Sequence, residues 1–194
     1  MLPFLAQYIL GGAMALKSTV YKAELSVADM DRHYYQTHTL TLARHPSEND
    51  ERLMVRLLAF ALHAHERLTF GKGLSTDDEP ALWQKDLTGA VELWIDVGQP
   101  DEKSIRRACG RAGQVYVYSY SGHSADIWWS QIGGKLARLD NLAVVNLPAA
   151  TVRALTGLAQ RGMQLSCTIQ DGQAWLADQS ESVAIERQWL KTIG

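Results

Sequence analysis

The chain has 194 residues, a formal net charge of −2, 46% hydrophobic and 21% charged residues. That is enough for one domain with a full core, and the charge excludes bulk attraction to polyanions while leaving room for a local basic strip. Cys109 and Cys167 share no metal-ligand spacing and fit a reducing cytoplasm, and no apolar run approaches the ~18 residues of a membrane-spanning helix, so no membrane partner is expected.

Residues 1–13 are apolar and end near Ala13-Met14-Ala15, which mimics a cleavage site, but no Lys or Arg precedes Lys17 as a signal peptide requires. They read as a leader or mis-called start without order of its own. Met14 is then the natural first residue, and residues 14–194 form one domain.

Leu16–Ser26 alternates apolar and polar residues and reads as a strand; Ala28–Asp31 is its turn and His33–Leu42 its hairpin partner. Pro46-Ser47 stops that strand. Ser47 reads as a helix N-cap, with Asp50 at the third helical position. Leu53, Met54, Leu57, Leu58, Phe60, Ala61 and Leu62 then cover a broad buried arc, with Arg52, Arg56 and His63 opposite. Glu48 lies at the edge of the polar arc, four before Arg52, the spacing of a helical ion pair. Glu51 falls inside the buried arc. A first-turn acid aimed inward either compensates the helix dipole or belongs to a site.

Arg67–Lys72 reads as a short strand. Gly71-Lys72-Gly73 lacks the rest of a phosphate loop and reads as a turn. The acidic cluster Asp77-Asp78-Glu79-Pro80 leads into Ala81-Leu82-Trp83, and Asp86–Gly89 turns the chain back. In Ala90–Gln99, Val91, Leu93, Ile95 and Val97 alternate with Glu92, Trp94 and Asp96, as in a strand with one apolar face. Acids in mid-strand are costly unless that face is wet or a cation compensates them. A helix follows over 101–112, buried through Ile105, Ala108, Cys109 and Ala112. Its other side carries Lys103, Arg106, Arg107 and Arg111, either a solvated face or a strip for nucleic-acid phosphates.

Gln114–Tyr120 reads as a strand and Ser124–Leu139 as a helix interrupted at Gly133-Gly134, with Trp128 and Trp129 in the core. Asn141–Leu147 is another strand, and Pro148 opens a helix to Ala159. Met163–Gln170 and Gln173–Ala177 form a hairpin about Asp171-Gly172, and Ser182–Arg187 is a last strand. The fold class is α/β (α+β), a mixed central sheet flanked by helices.

No His-Glu-x-x-His, nucleophile elbow or dinucleotide fingerprint is present. What remains is carboxylates: Glu51, Asp78, Glu79 and Asp96. Three of these could hold Mg²⁺ for in-line attack of water on a phosphodiester.

This order of parts resembles the PD-(D/E)XK nuclease fold, with Glu51 matching the helix acid, Asp78 or Glu79 the second acid and Asp96 the third. More closely, residues 14–194 resemble the YaeQ family. The likeness rests on Met14–Ala23, Leu42-Ala-Arg-His-Pro-Ser-Glu48, Asp78-Glu-Pro80, Leu93–Glu102, Ile127-Trp-Trp129 and Thr168–Gly172. It implies a bacterial protein with a PD-(D/E)XK-like core and N- and C-terminal antiparallel hairpins. Glu51, Glu79 and Asp96 would then be catalytic, with Mg²⁺ as cofactor and nucleic acid as partner. The sequence departs from the motif at its lysine. Gly98 stands there if the acid is Asp96, and Trp94 if it is Glu92; Lys103 or Lys72 would have to substitute. Two readings stay open: a metal-dependent nuclease, or a nucleic-acid- or protein-binding module without the chemistry.

Overall fold

Alternating patterns build two sheets in the computed structural model, which describes residues 18–72 and 79–194. The leader expected over 1–13, and Gly73, Asp77 and Asp78, lie outside the described residues. Strands β1 (Thr19–Asp29) and β2 (Tyr34–Arg44) pair without a bulge from Thr19 opposite Arg44 to Asp29 opposite Tyr34. The hairpin runs past the expected turn at Ala28 because Asp29 closes it, accepting from the Arg32 backbone N–H at 2.9 Å.

Helix α1 (Asp50–Leu62) is capped by Asn49, whose Oδ1 accepts from the Arg52 N–H at 2.9 Å. Ser47, expected as the cap, is held in the preceding turn, its Oγ 2.7 Å from His45 Nδ1. There follow β3 (Leu68–Phe70), β4 (Leu82–Lys85), β5 (Val91–Val97), α2 (Glu102–Cys109) and β6 (Ala112–Ser119). Next come α3 (His123–Leu136), β7 (Leu142–Asn146), α4 (Ala149–Gly157), β8 (Gly162–Gln170), β9 (Gln173–Ala177), β10 (Ser182–Ala184) and β11 (Gln188–Lys191). Helix α3 is not broken at Gly133-Gly134. Trp129 lies over Gly133, where a Cβ would stand 2.8 Å from the indole, so the missing side chain makes room for the ring.

The first sheet has the order β10-β9-β8-β1-β2, and the second β11-β7-β6-β5-β4-β3. The terminal hairpins therefore do not flank one central sheet. They join each other through the parallel pair β1–β8. The parallel run β5–β6–β7 forms the middle of the second sheet. Helix α1 packs between the sheets, in one cluster with Leu25 and Leu42 of the first and Leu93, Ile95 and Val97 of the second. Helices α2 and α3 cover the far face of the second sheet, with Ile105, Ala108 and Leu136 against Trp94, Val115 and Val117.

A helix between two sheets has no wet side. Every residue from Leu53 to Leu62 is buried, Arg56 included. Arg56, expected on a polar face, is fully buried, and its Nη1 donates to both Glu48 carboxylate oxygens at 3.0 Å and to the Ala43 carbonyl at 3.1 Å. Glu48 also accepts from Arg52 Nη1 at 2.9 Å. Burial holds the Arg56 guanidinium below its ordinary pKa, against the opposing pull of Glu48. At the other end of α1, His63 Nε2 lies 2.7 Å from the Tyr118 hydroxyl.

Glu48→Ala strands the Arg56 charge and is expected to cost about 3–5 kcal/mol in urea denaturation, while Glu48→Leu with Arg56→Met recovers most of the loss. Burial, aided by Arg32 and Arg187, pushes the His63 imidazole down to about 3. Between that value and the ordinary ~6.5 the unfolded chain binds the extra proton, so this contribution is full above pH ~6.5 and falls as the pH drops toward 3. Denaturation midpoints read across that range should fall less steeply in His63→Gln.

Candidate functional site

The expected acids are organised around one end of the second sheet. Strand β4 runs antiparallel to β5 with Leu82 opposite Ile95, which brings Glu79, three residues before Leu82, to the end of β5 where Asp96 stands. Tyr120, just past β6, lies at the same end, and the start of α1 approaches it. Burial raises the pKa of the Tyr120 hydroxyl; the Arg52 charge pulls it down, and the Glu51 and Glu48 charges push it up. Glu51 itself is half-buried in the first turn of α1.

The two faces of β5 separate these groups. Leu93, Ile95 and Val97 point to α1, so Trp94 and Asp96 point to α2 and α3. Asp96 is 6% exposed, and its Oδ2 accepts from the Trp94 indole N–H at 2.8 Å. This face, expected to be wet or cation-compensated, is covered by helices and carries an indole donor beside the acid. Glu51 and Asp96 thus reach one end of the sheet from opposite sides of it. Among the described residues, no group of three or more His, Cys, Asp and Glu side chains is arranged to hold a metal ion.

Neither motif register suits a lysine, although a Cβ at Gly98 would meet open space. Gly98 has φ +107°, a region that side-chain-bearing residues rarely enter, and its N–H donates to the Tyr118 carbonyl at 2.9 Å. Trp94 in the other register is a buried core residue. The Gln99 amide reaches across to the Tyr120 carbonyl and ties the end of β5 to β6. Lys103 and Lys72 are both exposed. On α2, Arg106 pairs with Glu102 at 2.9 Å and donates to the Lys135 carbonyl at 2.6 Å, while Lys135 reaches Glu102 at 3.4 Å. Arg111 is exposed, Arg107 half-buried.

Glu48 and Arg56 are the charged residues whose role the helical pattern obscures. Their signal is the spacing 48, 52, 56, one stripe of acid, base, base at steps of four. A wet face and a buried ion-pair seam share that pattern.

The family model for YaeQ protein matches residues 14–187. A YaeQ protein of Salmonella typhi, described as uncharacterized, is 46% identical over 173 residues, covering 89% of this chain and 96% of that protein. Its counterpart in Escherichia coli K12 is 44% identical over 172 residues, covering 89% and 95%. The crystal structure of YaeQ from Xanthomonas axonopodis pv. citri superposes with a TM-score of 0.85 at 50% identity, covering 89% of this chain and 97% of that one. That from Pseudomonas syringae superposes with a TM-score of 0.86 at 35% identity, covering 90% and 97%.

Gly98→Lys, which restores the motif lysine, forces a side chain into the left-handed region. It is expected to lower stability by about 1–3 kcal/mol in chemical denaturation and to create no nuclease activity.

Proposed function

The chain belongs to the YaeQ family, and on that premise we propose that it is a non-catalytic binding module built on a variant of the PD-(D/E)XK order of elements. The observation that carries this reading is the opposed placement of Glu51 and Asp96 about the second sheet. A Mg²⁺ ion with ligands near ~2.1 Å draws its carboxylates to one point, a demand that side chains starting from opposite faces of a sheet are poorly arranged to meet. Asp96 is occupied from its own face by Trp94. The lysine that would orient attacking water and stabilise developing charge has no position in either register, since Gly98 and Trp94 have backbone and core roles of their own.

The electrostatics favour a partner that is not a polyanion. The net charge is −2, and on α2 and α3 the Glu102 carboxylate engages both Arg106 and Lys135, which offsets part of the positive charge there. A protein or an uncharged ligand fits this surface better than a nucleic-acid backbone, whose binding scales with the cations it meets. Among the described residues no helix is long and apolar enough to cross a membrane. Both cysteines are free, in keeping with a cytoplasmic setting.

Calorimetric titration with Mg²⁺ and Mn²⁺, paired with cleavage assays on plasmid DNA and single-stranded RNA in each metal, tests the reading. The expected outcome is no cleavage above buffer and metal heats unchanged in Asp96→Asn. Metal-dependent cleavage abolished by Asp96→Asn would overturn it.

A further inference from the structure

Strand β2 is an outer edge of the first sheet, and the main chain shows which of its groups are unused. The Lys22 and Met30 N–H groups donate to the Arg161 and Ile169 carbonyls at 2.9 Å each, on the β8 side of β1. Main-chain groups alternate in direction along a strand, so the odd-numbered residues of β1 turn to β2. They pair with even-numbered residues there, such as Leu25 with His38 and Ala23 with Leu40. The odd-numbered residues of β2 therefore aim their N–H and C=O groups away from the sheet. Ala43 follows this rule, since its carbonyl accepts from Arg56 of α1. Among the described residues, the outward N–H and C=O groups of Tyr35, Thr37, Thr39 and Thr41 meet no hydrogen-bond partner.

The other three sheet edges are blunted. Strands β10 and β3 have three residues each. Strand β11 has four, and its register shifts between Trp189 and Lys191. Short, bulged or charged edges are how proteins keep other chains from pairing with them. Strand β2 has none of these devices. It runs for 11 residues without a bulge, and Tyr34–Ala43 contains no Lys, Arg, Asp, Glu, Pro or Gly. The side chains of Tyr35, Thr37, Thr39 and Thr41 are all exposed.

A row of free N–H and C=O groups has a definite complement, another extended backbone. A foreign peptide added there would also need pockets that read its side chains. The depression bordering β2 opens over Ser26, Ala28, Ser166 and Thr168 of β1 and β8, not beyond the edge. The edge does match itself. A two-fold axis at His38, midway between Tyr35 and Thr41, sets Thr37 opposite Thr39 of a second copy and Tyr35 opposite Thr41. Every free group then meets a free group, and Thr–Thr pairs are favourable cross-strand neighbours. Burial holds the His38 imidazole below its ordinary pKa, so no like charges meet at the axis at neutral pH. We propose that two copies of this chain pair antiparallel along β2 and join their first sheets into one. The pairing is separate from the end of the second sheet and does not depend on what that end binds.

Sedimentation velocity on the full chain, from about 10 µM to about 1 mM, tests this with two charge-substituted chains. The unsubstituted chain should pass from monomer to dimer in that range. Thr37→Lys/Thr39→Lys sets lysine against lysine across the axis, and Thr37→Glu/Thr39→Glu sets glutamate against glutamate. Each should stay monomeric with an unchanged far-ultraviolet circular dichroism spectrum, and an equimolar mixture of the two should dimerise again. A dimer that survives the lysine substitutions, or a mixture that stays monomeric, overturns the proposal. So does an unsubstituted chain that stays monomeric at about 1 mM. In that monomer, slow amide exchange at Thr37, Thr39 and Thr41 would assign the edge to another stretch of the same chain, and fast exchange to a foreign strand or to water.

Discussion

The ion pair between Arg56 and Glu48 is the interaction on which the arrangement depends. A guanidinium with no exposure, set between two sheets, is tolerable only with a carboxylate in hydrogen-bond contact. Its Nε and Nη2 have no hydrogen-bond partner among the described residues, and the guanidinium lies 5.5 Å from the Phe70 ring centroid. Replacing such a pair by apolar residues tends to be neutral or stabilising, so its value here is geometric. Only one rotation of α1 about its axis brings Arg56 to both Glu48 and the Ala43 carbonyl. That rotation sets Asn49 as the cap, turns Glu51 toward Tyr120 and packs the ten-residue stretch Leu53–Leu62 against both sheets.

The second sheet then acts as a partition. Its middle strands are buried on both faces, as parallel strands between helical layers must be. Carboxylates that approach one end of such a sheet from opposite faces start with the sheet edge between them. Here Glu51 belongs to the α1 side and Asp96 to the α2 side, where the Trp94 indole holds it. The backbone at Gly98 finishes the division, because φ +107° and the bond to Tyr118 commit that position to a turn.

Much of this was legible in the residues. The alternation of Val91–Val97 identifies β5 and its apolar face, Asp171-Gly172 marks the β8–β9 hairpin, and Leu93–Glu102 carries much of the likeness to the YaeQ family, to which the chain belongs. Much of what was not legible has one physical cause: periodicity reports which side of an element is apolar, not how many sides are covered. Arg56 reads as solvated in any helix with one wet face. Trp94 and Asp96 read as an exposed face in any half-buried strand. Helix α3 passes through Gly133-Gly134, with the Trp129 indole one turn earlier lying over Gly133. Strand β11 is four residues without alternation, recruited to the edge of the second sheet by β7.

The account turns on whether Glu51 and Asp96 are separated by the sheet. Paramagnetic broadening by substoichiometric Mn²⁺ reads this directly, because an ion held by both would broaden both amides together. The account predicts weak, scattered broadening at exposed acids, with the Asp96 amide untouched. Concerted, saturable loss of the Glu51, Glu79 and Asp96 signals at one Mn²⁺ per chain would contradict it.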